Sequence, residues 1–211
     1  MKNEGIPQNN ENIEKHEQWE RVLKNLENIV DGLGMPIEEG IKEAVASLNI
    51  NKIPTGSSCG GHVGPDRLSF PYISGEAEGE PRYRYQGEDK IIDDLMVKYN
   101  LTNRREIFDN GEIENEYYKL TDKLEETDEY KKWYLKNQPL RQQVGELIEE
   151  FNITRPESKM HLTPIYPGYK FEAHDRQKKF NDEVDNKKEI EQAQEEFRLF
   201  TEFLKNKFFT E

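Results

Sequence analysis

Met160 to Ala173, MHLTPIYPGYKFEA, reads as two strands folded back on each other. Met160 to Thr163 and Tyr169 to Ala173 flank Ile165-Tyr166-Pro167-Gly168, and Pro-Gly sets a tight turn because proline presets φ while glycine tolerates the left-handed region. His161 alternates with Met160 and Leu162, so it is expected to face away from the core. A second alternating run lies at Arg67 to Glu76, where Leu68, Phe70 and Tyr72 interleave with Arg67, Ser69 and Pro71. Pro71 cannot donate to a ladder, which suits an edge or a strand end. Hairpin-like strands separated by helical stretches, without strict alternation, predict an α+β fold with helices packed on a small, mostly antiparallel sheet.

Working outward, residues 1–11 carry almost no apolar anchor and are expected to be a disordered lead-in to a single domain over 12–211. Trp19, Val22, Leu23, Leu26, Ile29, Val30 and Leu33 form one helical stripe that Gly32 and Gly34 would end. Pro36 opens a second helix with Ile37, Ile41, Ala44, Val45 and Leu48 inward, and Glu38 and Glu39 in its first turn suit the helix dipole. Ile50 and Ile53 are expected to lead as a short strand into the stretch that follows. A polar helical insertion is predicted at about 88–136, with a restart at Thr127 or Asp128; Pro139 opens a further helix, and a last one runs from about Asn186 with Ile190, Ala193, Phe197, Phe200, Leu204 and Phe208 inward.

The net charge is −13, with 33% hydrophobic and 35% charged residues. Such a chain repels polyanions, which draw their affinity from clustered Lys and Arg, so extended nucleic acid is an unexpected partner. A single cysteine forms no internal disulfide and no apolar run approaches a membrane span, so no membrane partner and a reducing, cytoplasmic setting are expected.

The chemistry concentrates in Ile53-Pro54-Thr55-Gly56-Ser57-Ser58-Cys59-Gly60-Gly61-His62. Cys59 could serve as a nucleophile with His62 as base, if the Gly-Gly turn doubles back. Cys59 and His62 could instead bind zinc with His161 or His174. The simplest expectation is that no metal or cofactor is bound and that Cys59 packs as a small apolar group at a strand end. In the reading that uses most of the stretch, the loop binds a small anion or nucleotide-like molecule. Amides around Gly56, Gly60 and Gly61 would converge, Thr55, Ser57 and Ser58 would add hydroxyls, and Arg67, Arg82, Arg84 or Lys170 would neutralise charge. No Lys-Ser/Thr ending follows, which argues against a P-loop.

Pro54-Thr55 followed by Ser58-Cys59-Gly60-Gly61-His62, with Pro71-Tyr72-Ile73 downstream, resembles a group of uncharacterised bacterial and phage proteins carrying a Ser-Cys-Glu-Gly-His signature. The resemblance covers about residues 35–75 and the ending Phe200 to Lys205. Gly60 stands where that signature has glutamate, so a carboxylate from that position is missing here. Ser57 to His62 is also similar to the Ser-Ser-Cys-Ser-Gly-Arg loop of the wybutosine-synthesis methyltransferase family, with His62 in place of arginine; the acidic charge argues against a tRNA substrate.

The leading expectation is therefore a binding protein for a small phosphate-bearing or nucleotide-like ligand, held by Thr55, Gly56, Ser57, Ser58, Gly60, Gly61, His62, Arg67 and His161. The alternatives are an enzyme using Cys59 and His62 as a thiolate pair or with a metal, and a protein-interaction module built on the polar helical stretch 113–136.

Overall fold

The computed structural model describes residues 8–30, 34–63, 68–165, 167–174 and 183–210. It is an α+β structure in two compact units, 1–76 with 137–211 and 77–136. Among the described residues no helix is long and apolar enough to cross a membrane.

In the larger unit, α1 (Gln8–Leu26) and α2 (Glu39–Ile50) precede β1 (Ser57–Cys59), β2 (His62–Val63), β3 (Leu68–Ser69) and β4 (Tyr72–Gly75). β5 (Met160–Pro164) and β6 (Tyr169–Ala173) form the expected hairpin, and α7 (Glu183–Thr210) ends the chain. The main sheet is antiparallel with order β1-β4-β6-β5, and β2 pairs with β3 as a separate ribbon. Its register aligns Cys59 with Tyr72, Tyr72 with Glu172, and Glu172 with His161. Because side chains alternate along a strand, that row shares one face, while Ile73, Phe171 and Ala173 take the other. The apolar face is the core: Phe171 stacks on Phe197 at 5.4 Å and meets Phe200 edge-on at 5.6 Å, and Phe151 meets Phe200 at 5.2 Å. Leu48 and Val45 of α2 and Val144 and Ile148 of α6 (Asp128–Thr154) complete it. Burying such side chains contributes about 1.5–3 kcal/mol each, so this face fixes the register.

Several boundaries differ from expectation for local physical reasons. α1 begins at Gln8, inside the expected lead-in, and ends at Leu26 rather than near Leu33. Ile29 and Val30, read as buried stripe residues, are about half exposed, and Val30 bridges to Pro36. Ile53 is fully buried but is not in a strand. Its N–H donates to the Leu48 carbonyl and that of Lys52 to Asn49, with Lys52 at φ 62°. This is the Schellman pattern, in which the apolar residue beyond the left-handed one packs back on the helix. Pro139 lies inside α6, not at a helix start. It sits on the exposed side, where water can take the carbonyl that its ring leaves without a donor. α7 starts at Glu183, ahead of Asn186.

The unit 77–136 contains α3 (Glu88–Tyr99), α4 (Arg105–Asp109), α5 (Gly111–Thr121) and the first turns of α6. α6 restarts helix at Asp128, as expected, with the Thr127 hydroxyl accepting from the Tyr130 amide at 3.1 Å. Despite its polarity the unit has a core of its own, in which Ile92, Leu95, Ile107, Ile113 and Tyr117 are buried. Glu88 is buried beneath it and accepts from the Arg84 and Tyr85 amides, the Arg104 guanidinium and the Tyr117 hydroxyl.

Candidate functional site

The stretch after α2 is held from three sides before any ligand is considered. The Pro54 carbonyl accepts from the buried Tyr169 hydroxyl at 2.8 Å, and Thr55 Oγ1 donates to Asn49 Oδ1 at 3.0 Å. Past β1 the chain turns through Gly60 and Gly61, whose carbonyls both accept from Gln194 Nε2 of α7, at 2.9 and 3.0 Å. Gly61 has φ +83°, and a Cβ there would lie 2.6 Å from Pro71 Cδ, so the turn requires glycine. The reversal brings His62 back beside Cys59, whose sulfur is 3.7 Å from His62 Nδ1, 3.2 Å from Ser69 Oγ and 3.4 Å from the Gly61 amide, which donates to it.

A residue not anticipated for the site joins them. Glu38 occupies the N-cap of α2 but makes no capping hydrogen bond with its side chain. Its Oε2 instead accepts from the Gly60 amide, and its Oε1 lies 3.9 Å from His62 Nδ1. One ligating atom each from Glu38, Cys59 and His62 lie within 4.8 Å of one another. No spacing rule links residue 38 to residue 59, and an acid in a first helical turn already has a sufficient reason in the helix dipole.

These three groups line the wall of a cleft of about 630 Å³. Its lining includes the hydroxyls of Thr55, Ser57, Ser58, Ser69 and Tyr72 and the apolar side chains of Leu26, Ile29, Val30, Met35 and Ile37. Gly56 also lines it, and Met35 is 61% exposed at its edge. The early end of α1 thus leaves apolar side chains facing the cleft instead of the core.

The amides needed for an anion nest are already engaged. Gly56 N–H donates to the Ser74 carbonyl at 2.8 Å, Gly60 N–H to Glu38, and Gly61 N–H to Cys59 Sγ. Of the cations named for charge neutralisation, Lys170 pairs with Glu172 at 2.7 Å and Arg84 with Glu126 at 2.9 Å. Arg82 lies 5.3 Å over the Tyr83 ring, in the other unit, and Arg67 lies outside the described residues.

His161 and His174 do not join Cys59 and His62. They gather with Glu172 into a second group, on the same polar sheet face. Three strand spacings separate Cys59 from His161, about 14 Å. The His174 ring beside it, together with Lys170 and Thr163, holds the Glu172 carboxyl well below the usual carboxylate range, against burial acting the other way.

No protein-family model, curated protein or solved structure matches this chain, so its site stands on its own geometry.

Proposed function

We propose that the protein binds a small molecule in the cleft beside β1, at a zinc-type centre held by Glu38, Cys59 and His62. The convergence of a carboxylate, a thiol and an imidazole at the cleft wall carries this reading. Zinc with sulfur, nitrogen and oxygen ligands in tetrahedral array sets neighbouring S···N and N···O separations near 3.6 and 3.4 Å, roughly, from its usual bond lengths. The observed 3.7 and 3.9 Å need only a small closure. A thiolate and a carboxylate balance the dication, and three protein ligands leave a fourth position open toward the cleft, as in catalytic rather than structural zinc sites.

Such a centre activates water or polarises a carbonyl or phosphoryl oxygen. It would also supply the positive charge that a phosphate-bearing ligand needs and that the engaged amides do not. A lining that mixes hydroxyls with apolar side chains suits a ligand with both polar and apolar parts. Glu38 further supports the reading, because its Oε2 lies 2.8 Å from where a Cβ of Gly60 would stand. The signature that the stretch resembles has its glutamate at that position, and here Glu38 brings a carboxylate to the same place from α2.

A thiolate nucleophile with His62 as base is the second reading, favoured by the Gly61 amide and Ser69 hydroxyl at the sulfur. Against it, Cys59 and Glu38 both face Nδ1 of His62, whereas a relay needs nucleophile and acid on opposite ring nitrogens. The test is elemental analysis of protein purified without a histidine tag, followed by zinc titration of the chelator-treated chain. Loss of one zinc equivalent in each of Cys59→Ala, His62→Ala and Glu38→Gln supports the centre. Zinc uptake that none of these three substitutions reduces, with a wild-type thiol alkylated far faster than free cysteine, moves the assignment to the nucleophile.

A further inference from the structure

The hairpin chosen by Pro167-Gly168 has a chemical consequence on the polar face of the sheet. Its register places His161 directly opposite Glu172, and His174 follows two residues later along the same chain. One ligating atom from each of the three lie within 4.8 Å of one another. The rings of His161 and His174 meet edge to face, with centroids 5.3 Å apart and planes at 85°.

Two of the three donors, His161 and Glu172, are oriented as metal ligands require. His161 Nδ1 lies 2.9 Å from the Lys159 carbonyl, and a carbonyl only accepts, so that nitrogen carries the proton and Nε2 the lone pair. This is the backbone contact that sets the tautomer of metal-bound histidines. Glu172 is oriented too: Thr163 Oγ1 donates to its Oε2 at 2.8 Å, and Lys170 pairs with its Oε1 at 2.7 Å. Oε2 faces His174 Nε2 at 3.8 Å and retains lone-pair capacity beyond the Thr163 bond. Glu172 and His174 side chains are 14% and 17% exposed, and Phe70 covers His174 with ring centroids 4.6 Å apart. The group is thus sheltered but not sealed.

We propose that His161, Glu172 and His174 form a second, independent divalent-metal site of the two-histidine, one-carboxylate kind. Two imidazoles and one carboxylate suit zinc, iron(II) or cobalt(II) over magnesium or calcium, which prefer all-oxygen sets. The site has no thiolate, which separates it spectroscopically from the Glu38-Cys59-His62 centre. Lys170 stays on the far carboxylate oxygen and reduces the charge the ion must balance.

The experiment is cobalt(II) titration of the untagged, chelator-treated full chain, read by calorimetry and by absorption. Wild type is expected to bind two equivalents, one with a thiolate-to-cobalt charge-transfer band and one without. Cys59→Ala/His62→Ala should keep one equivalent and lose the band; His161→Ala/His174→Ala should keep one equivalent and the band. Thr163→Val should weaken only the band-free equivalent, by about 10- to 100-fold, because the hydroxyl orients the carboxylate. If Cys59→Ala/His62→Ala is folded by circular dichroism yet binds no cobalt, the second site is overturned. If wild type binds one band-free equivalent that only His161→Ala/His174→Ala removes, the second site stands and the cysteine centre falls. Glu172→Gln, which keeps shape and removes charge, must also abolish the band-free equivalent; full retention overturns the assignment.

Discussion

Gly61→Ala is expected to destabilise the larger unit by about 2–5 kcal/mol and to weaken the cysteine centre at the same time. An L-residue held at φ +83° costs about 1–2 kcal/mol against the left-handed backbone. The new methyl would lie 2.6, 2.8 and 2.9 Å from Cδ, Cγ and N of Pro71. A proline ring is closed on its own backbone and cannot rotate aside, so the overpacking adds about 1–3 kcal/mol. Any relief must move the Gly61 peptide, and with it the turn that holds His62 beside Cys59. Urea titration followed by circular dichroism should therefore give a lower midpoint at unchanged slope, with zinc affinity reduced in parallel. Gly60→Ala is the internal control. Its Cβ meets only the flexible Glu38 side chain, at 2.8 Å to Oε2, so stability should fall by less than about 1 kcal/mol while zinc binding weakens because the carboxylate is pushed away. A Gly61→Ala loss below about 1 kcal/mol, or equal losses in the two variants, would refute the account of the turn.

Glu88→Gln replaces a buried acceptor of four hydrogen bonds with a group that presents an NH₂ to some of those donors, and should destabilise by about 3–5 kcal/mol, measured by thermal or urea unfolding. Burial, chiefly, raises the Tyr117 and Tyr169 phenols above their ordinary value of 10.0, and Tyr117 is raised further by its bond to Glu88. Raised acids favour the folded chain fully below pH 10, and that contribution is lost as pH rises further while the unfolded chain releases its protons. Stability should thus fall above about pH 10 by up to roughly 1.4 kcal/mol per pH unit for each phenol, and Tyr169→Phe should flatten the melting-temperature profile there. Gln194→Ala should cost under about 1.5 kcal/mol of stability, since its bonds are exposed, but should weaken zinc binding about tenfold through the freed Gly60 and Gly61 carbonyls.

The local chemistry of turns and stripes made much of this fold readable in the sequence. Pro167-Gly168 marked the hairpin of β5 and β6, and the alternation around His161 gave its face; the loop spans four residues, and Gly168 is not left-handed but sits where a Cβ would collide with the Gly75 carbonyl. Two of the missed boundaries involve apolar residues with two available uses. Ile53 looks like the start of a strand but closes a helix end, and Ile29 and Val30 continue a helical stripe in sequence while lining a cleft in space. Cys59 and His62 were legible because they lie three residues apart across two glycines. Glu38 was not, because its partner lies 22 residues away and a helix start explains an acid without one. Glu172 was within reach: the hairpin centre that pairs Met160 with Ala173 also sets Glu172 against His161, and His174 follows on the same face.

The shared row of Cys59, Tyr72, Glu172 and His161 also limits how the chain can change in length. One residue added to or removed from β6 would turn Phe171 to the polar face and Glu172 into the ring cluster around Phe197 and Phe200. Insertions and deletions in β4, β5 or β6 are therefore tolerable only in pairs, or where a bulge absorbs the odd residue. Among homologous chains, these strands should keep their parity even where the connecting segments vary freely.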